Sequence, residues 1–242
     1  MNELHQKLVN FILCITLTNV YSIAHASVTL DRTRAIFNAD SKSISLNISN
    51  NNNRLPYLAQ AWLEDSQQRK IVGGALVVIP PIQRLEPGGK SMLRILATQL
   101  ANTLPQDRES LFYLNLREIP PRSNEQNVLQ IALQTRIKLF YRPKNIIPKL
   151  DYIWQEKLIL HENKNGYEIE NPTPYYITIT GLGNNQIQSE KGQFNVTMLS
   201  PKSSIKIKSQ HFKEPYLTYI NDYGGQPTLR FICSGQNCTV KT

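Results

Sequence analysis

Between Asn127 and Pro143 the chain reads NVLQIALQTRIKLFYRP, with no glycine or proline before Pro143. Taken two residues at a time, Leu129, Ile131, Leu133, Ile137, Leu139 and Tyr141 fall on one face. Gln130, Gln134, Arg136, Lys138 and Arg142 fall mostly on the other. This alternation is the period of a β-strand. About a dozen residues at ~3.3 Å each make it roughly 40 Å long, whereas an ordinary strand has about five or six residues. Wherever so long a strand lies at a sheet edge, its row of aliphatic side chains invites aggregation unless another strand is meant to cover it. We read it as meant for a partner.

At the other end of the chain, Lys7 precedes a largely apolar, uncharged run from Val9 to Ile23, and Ala24-His25-Ala26 has the spacing of an export cleavage site before Ser27. Residues 1–26 are therefore expected to be a secretory signal peptide. A membrane anchor fits less well, because the run is short and carries Asn10, Asn19 and Ser22. No later stretch is long enough to span a membrane, so a soluble exported product without membrane insertion is expected. The formal net charge is +9. The charge is spread out, with neither a Lys/Arg block nor an aromatic ribonucleoprotein motif, and export argues against nucleic acid as a partner. Cys14 falls in the signal. Cys233 and Cys238 flank Ser-Gly-Gln-Asn, and in an oxidising compartment they should bridge a tight β-hairpin.

Short alternating segments fill the rest. Val28–Phe37, Ser43–Ser49, Tyr57–Glu64, Ala75–Ile79, Ser91–Leu96, Leu111–Glu118 and Asn127–Tyr141 are separated by turn formers such as Asn50-Asn51-Asn52-Asn53, Glu86-Pro87-Gly88-Gly89 and Pro120-Pro121. Seven such strands suggest an immunoglobulin-like sandwich. Trp62 is expected in its core, and no amphipathic helix stands out. Arg142 to Pro148 reads as a linker bounded by prolines. A second run of about eight short strands follows, which gives an all-β chain of two domains, 27–143 and 144–242. Gly181-Leu182-Gly183 reads as a turn.

Catalytic chemistry is hard to find. The chain has no Gly-x-Ser-x-Gly, no His-Glu-x-x-His and no phosphate-binding loop. His161 and His211 are isolated and read as surface residues. No enzyme activity, metal or cofactor is expected.

Several stretches together resemble the periplasmic pilus chaperones: SVTLDRTRAIF, LPYLAQAW, PPIQRLEPGGKSMLRI, LPQDRESLFYLNLREIPP and NVLQIALQTRIKLFYRP. In the second half they are followed by ENPTPYYITITGLG and PYLTYINDYGG. The resemblance implies two immunoglobulin-like β-sandwich domains in a boomerang arrangement, and a chaperone that captures pilin subunits and adhesin in the periplasm and delivers them to an outer-membrane usher. It implies donor-strand complementation, in which Leu129, Ile131 and Leu133 fill the groove of an incomplete subunit. Arg34 and Lys138 would anchor the subunit's C-terminal carboxylate. Glu109, Arg142 and Asp222 would form an ion-pair network between the domains. Self-association could shelter the strand when no subunit is bound, though no residue pattern shows it.

Lys138 has even parity while the donor residues are odd, so a regular strand would point anchor and donors to opposite faces. Either a bulge lies between them or the strand is used from both sides. Two other readings remain from the residues alone. A fimbrial structural subunit would usually carry its disulfide in the main sandwich, and an exported hydrolase would need catalytic groups that are missing here.

Overall fold

The computed structural model describes residues 26–124 and 127–241. The expected signal peptide lies outside them except for Ala26. The first half of the described chain is two facing sheets. One has the order β1 (Val28–Leu30), β3 (Ser43–Asn50), β7 (Lys90–Ala97), β5 (Leu76–Ile79). The other runs β2 (Arg34–Asn38), β9 (Gln134–Arg142), β8 (Ser110–Ile119), β4 (Tyr57–Glu64), β6 (Ile82–Leu85). Alternate residues of both sheets meet in the core: Phe37, Leu46, Leu63, Ile95, Leu114, Ile137 and Leu139 belong to one buried cluster.

The expected strand from Val28 to Phe37 is two strands. The chain breaks after Leu30, so β1 pairs antiparallel with β3 in one sheet while β2 pairs parallel with β9 in the other. That switch places Arg34 opposite Lys138.

The strand expected from Asn127 begins only at Gln134. The reason lies in its neighbours. β8 and β9 pair in unbroken register from Ser110 opposite Tyr141 to Arg117 opposite Gln134, and the last ladder bond runs from the Glu118 N–H to the Leu133 C=O (3.0 Å). Beyond Ile119 the chain enters Pro120-Pro121, which have no N–H to offer. On the other side, β2 covers only Lys138 to Arg142. Residues 127–132, before that bond at Leu133, thus have no strand on either side among the described residues.

Trp62 is not in the core. In β4 the buried positions are Ala59, Ala61 and Leu63, which turns Trp62 outward. There its ring lies under the Arg117 guanidinium (5.1 Å), and its Nε1–H donates to Glu64 Oε1 (3.0 Å).

In the second half, the strands run β13 (Thr197–Leu199), β12 (Ile177–Gly183), β15 (Tyr216–Ile220), β16 (Thr228–Ser234), β17 (Asn237–Val240), β10 (Ile159–Asn163), β11 (Gly166–Asn171), β14 (Ser203–Lys208). β16 pairs with β15 through Thr228 to Arg230 and with β17 through Phe231 to Ser234, so one strand serves both halves of the sheet. The two halves share a core of Leu160, Tyr167, Ile177, Leu217 and Phe231. Cys233 and Cys238 are disulfide-bonded across the β16–β17 hairpin. A loop this short gains little from chain entropy, so the bond pins a turn more than it stabilises the domain.

A short helix, α1 (Gln186–Lys191), stands where no helix was expected, capped by the Asn185 side chain. Gly181 and Gly183 belong to β12 rather than to a turn. A Cβ on Gly181 would collide with the backbone carbonyl of Ser189 in α1, so these glycines let the helix lie on the strand.

Candidate functional site

β9 is used from both sides, and its register shows how. Its odd residues, Ile137, Leu139 and Tyr141, pack in the core of the first domain. Its even residues turn toward the second domain. Lys138 Nζ donates to Thr178 Oγ1 (3.2 Å), Phe140 packs on Tyr176 (ring centroids 5.6 Å apart), and Arg142 bonds Asp222. Among the described pairs no bulge interrupts β9, so the opposite parity of Lys138 and the aliphatic residues comes from this two-sided use.

On the N-terminal side of β9 the odd residues pass the end of the core. Leu129 is 85% exposed, Ile131 62% and Leu133 40%. A chain stretch with alternate aliphatics in water and unpaired backbone groups is costly unless something is added to it.

At the other end, Arg34 and Lys138 sit together without a carboxylate partner among the described residues. Arg34 is only 9% exposed. Its one hydrogen bond is a long one to the Ile220 C=O (3.5 Å), and its Nε has none. Burial lowers the pKa of the Arg34 guanidinium, while Asp222 and Glu109 pull it back up. Burial also lowers that of Lys138, and the neighbouring Arg34 charge lowers it further. Two half-dry cations side by side favour an anion between them.

Behind them lies a buried ion-pair network. Arg142 Nε donates to Glu109 Oε1 (2.8 Å), and its Nη1 and Nη2 donate to Asp222 (2.9 and 3.2 Å). The guanidinium lies 5.0 Å from each of the Trp154 and Tyr175 rings. Glu109 ties the domains by backbone as well, since its N–H donates to the Pro174 C=O (2.9 Å) and its Oε2 accepts from the Tyr176 N–H (2.7 Å). Burial pushes its carboxyl up to about 7 against the pull of Arg142 and Tyr176. On the rim, Lys202 bonds Asp107 (2.6 Å). That pair is exposed, so it contributes under ~1 kcal/mol.

The structure thus brings Arg34, Lys138, Glu109, Arg142 and Asp222 into one cluster of three cations and two anions, a net charge of one positive. Leu129, Ile131 and Leu133 lie apart from it along the same chain. The sequence reading gave no part in this cleft to Trp154, Tyr175 or Thr178. Tyr175 stood in the NPTPYY stretch, but nothing in its spacing tells that it would stack on Arg142. His161 lies on the outer surface of the second domain, between Glu170 (2.7 Å) and Asn237 (2.8 Å). The side-chain bond to Glu170, followed by that to Asn237, raises its pKa.

Residues 27–147 match the family of the pili and flagellar-assembly chaperone, PapD N-terminal domain, and residues 153–231 match that of the pili assembly chaperone PapD, C-terminal domain. The chain is 59% identical to chaperone protein PapD of Escherichia coli over 222 residues, covering 92% of this chain and 93% of that one. With chaperone protein PmfD of Proteus mirabilis it shares 45% over 235 residues, covering 95% and 91%. Among solved structures, the periplasmic chaperone SfaE aligns with a TM-score of 0.69 at 31% identity, covering 85% of this chain and 100% of that one. Two matched domains in the right order, joined at the cleft that Arg34 and Lys138 line, show that the chain belongs to the pilus-assembly chaperone family represented by PapD.

Proposed function

We propose that the chain works in the periplasm, capturing pilin subunits and adhesin by lending them residues 127–133 as the strand their fold lacks, and handing them to an outer-membrane usher. The observation that carries this reading is the unpaired segment itself. Its exposed Leu129, Ile131 and Leu133 run in one direction, through an unbroken ladder, into a cleft with an uncompensated cationic pair. A subunit strand laid beside 127–133 gains main-chain hydrogen bonds, and side chains two apart enter one face of its groove.

Magnitudes decide what else is needed. Burying the three aliphatics stabilises by ~1.5–3 kcal/mol each. Ordering the seven residues costs about 1–2 kcal/mol apiece. The ordering cost outweighs the burial, so the three aliphatics alone would not hold a subunit. A terminal carboxylate on Arg34 and Lys138 supplies the surplus and fixes the register, which matters because a slip of one residue turns every donor side chain out of the groove. Glu109, Arg142 and Asp222 set the angle at which the second domain presents this cleft. Capture and release of this kind make and break no covalent bond, so the reading calls for no catalytic group, nucleotide or metal.

Ile131→Asp tests the donor face. Co-expressed in the periplasm with a pilin, the tagged wild type should bring down a one-to-one complex. The variant should lose about tenfold or more in affinity, because it places a charge in an apolar groove, with its melting temperature unchanged since Ile131 touches no core. Unchanged capture would show that residues 127–133 are not what the subunit binds.

A further inference from the structure

Glu109 stands just before β8, and groups from both domains close around it. Arg142 of β9 donates to its Oε1, the Tyr176 N–H ahead of β12 donates to its Oε2, and Asp222, in the turn after β15, shares the Arg142 guanidinium with it. Arg34 of β2 lies near enough to feel the charges of both Glu109 and Asp222, and the Tyr175 and Tyr176 phenols feel Glu109. Lys138 stands opposite Arg34 in the parallel β2–β9 pair. On the rim, Arg108 and Lys202 are both engaged by Asp107. Glu109 and Arg142 are each 3% exposed and Arg34 9%, so little water screens these three charges from one another.

Arg34 is therefore a shared cation. In the free chain its charge favours the ionised form of Glu109. A carboxylate that binds Arg34 and Lys138 cancels that help and brings a third negative charge into the cluster, and both changes favour a protonated Glu109. We propose, resting on the reading of Arg34 and Lys138 as a carboxylate anchor, that seating a subunit's C-terminal carboxylate there draws a proton from solvent onto Glu109, so that the cleft holds subunits more tightly in mildly acidic than in mildly alkaline surroundings. The proton keeps the charge of the cluster constant: three cations then face Asp222 and the incoming carboxylate, again a net charge of one positive. Glu109 is ready to respond, because burial pushes its carboxyl up to about 7 against the pull of Arg142. Its N–H bond to the Pro174 C=O does not depend on that charge, so the proton alters the field in the cleft while this tie between the domains stays made. The sign follows from linkage. A group that holds its proton more firmly in the complex favours binding at low pH, and that contribution is lost as pH rises from about 7 through the higher value in the complex. A tenfold rise in the proton affinity of a carboxyl that starts near 7 makes the complex about fivefold tighter at pH 6 than at pH 8.

The test uses a histidine-free synthetic peptide copying the last strand of a pilin that the chain captures, as free acid and as amide, titrated calorimetrically into the full chain. The acid should bind about fivefold more tightly at pH 6 than at pH 8, and at pH 7 its binding heat should vary with the ionisation enthalpy of the buffer in the sense of proton uptake. Glu109→Gln, neutral at every pH, should remove both effects. Should that variant fail to fold, Asp222→Asn gives an independent reading: it deletes a charge that raises the Glu109 pKa, so the fall in affinity should begin at lower pH. Equal affinity of the acid at pH 6 and pH 8 would overturn the proposal, and with the amide binding more weakly throughout, the anchor would stand without the proton. A pH dependence that survives in Glu109→Gln would put the proton on another group, Lys138 foremost, and would overturn it too. If the amide bound as well as the acid, the anchor reading would fall and this inference with it.

Discussion

Lys138→Ala and Arg34→Ala should each weaken subunit capture by about 30-fold or more, with melting temperatures equal to or slightly above that of the wild type. The two halves of this expectation have the same cause. Both side chains are partly buried cations beside each other, and neither has a carboxylate within ion-pair distance among the described residues. In the free protein they cost desolvation and mutual repulsion, so deleting one relieves strain on the fold. In the complex, a carboxylate between them makes charge-assisted bonds in a dry cleft. Truncating one partner of such a buried charged pair typically costs about 2–5 kcal/mol, which is the ~30-fold or greater loss. Titrating each variant with a pilin, alongside a thermal melt, reads both quantities. Normal capture by both variants would remove the anchor from the account, and a large drop in melting temperature would make these residues structural rather than binding groups.

The largest stability effect should come from the opposite kind of change. Arg142→Ala is expected to destabilise by about 3–5 kcal/mol, because it leaves Glu109 buried and uncompensated; in a chain of this size that lowers the melting temperature by roughly 6–20 °C. Arg142 and Glu109 are both 3% exposed, whereas the Asp222 side chain is 25% exposed. Asp222→Asn, whose partner keeps Glu109, should therefore cost much less. The pH dependence separates this from simple loss of packing. The Glu109 carboxyl titrates near 7 in the fold, raised from 4.5 by burial, so the folded chain holds its proton more readily than the unfolded one. Its contribution to stability is then fully present below about 4.5 and is lost as pH rises through about 7. Without Arg142 the pKa rises further, and the variant should lose more stability between pH 5 and 8 than the wild type does. A melting temperature shift that is the same at both pH values would indicate lost packing against Trp154 and Tyr175 rather than a stranded carboxylate.

These two expectations depend on features that were legible in the sequence to different degrees. Alternation identified β9 and placed Ile137, Leu139 and Tyr141 on one face, the face that the structure buries, because burial on one side of a strand leaves a period of two. The two cysteines around Ser-Gly-Gln-Asn read as a bridged hairpin for an equally local reason. Where β9 starts was not legible, since the pattern continues unbroken to Leu129 and only the end of β8 before Pro120-Pro121, a feature elsewhere in the chain, takes the partner away. Trp62 was misplaced because its large ring argued for burial, although it shares a face of β4 with Gln60 and Glu64 while the small Ala59 and Ala61 point inward with Leu63. The glycines of β12 looked like a turn because their reason for being glycine is the helix lying on them. The cleft was the least legible of all: Arg34 meets Lys138 through a parallel pairing of strands about a hundred residues apart, and the Trp154 and Tyr175 rings meet on Arg142 only once the linker has folded back.

The central claim is that residues 127–132 wait unpaired until a subunit supplies their neighbouring strand. Amide hydrogen exchange of that segment, measured in the free chain and in a one-to-one complex with a pilin, tests it most directly. The account predicts rapid exchange from Val128 to Ala132 in the free protein and strong protection in the complex, while Ile137 to Tyr141 stay protected in both. A complex that forms with 127–133 still exchanging freely would contradict it, because the subunit would then be held somewhere other than on this strand.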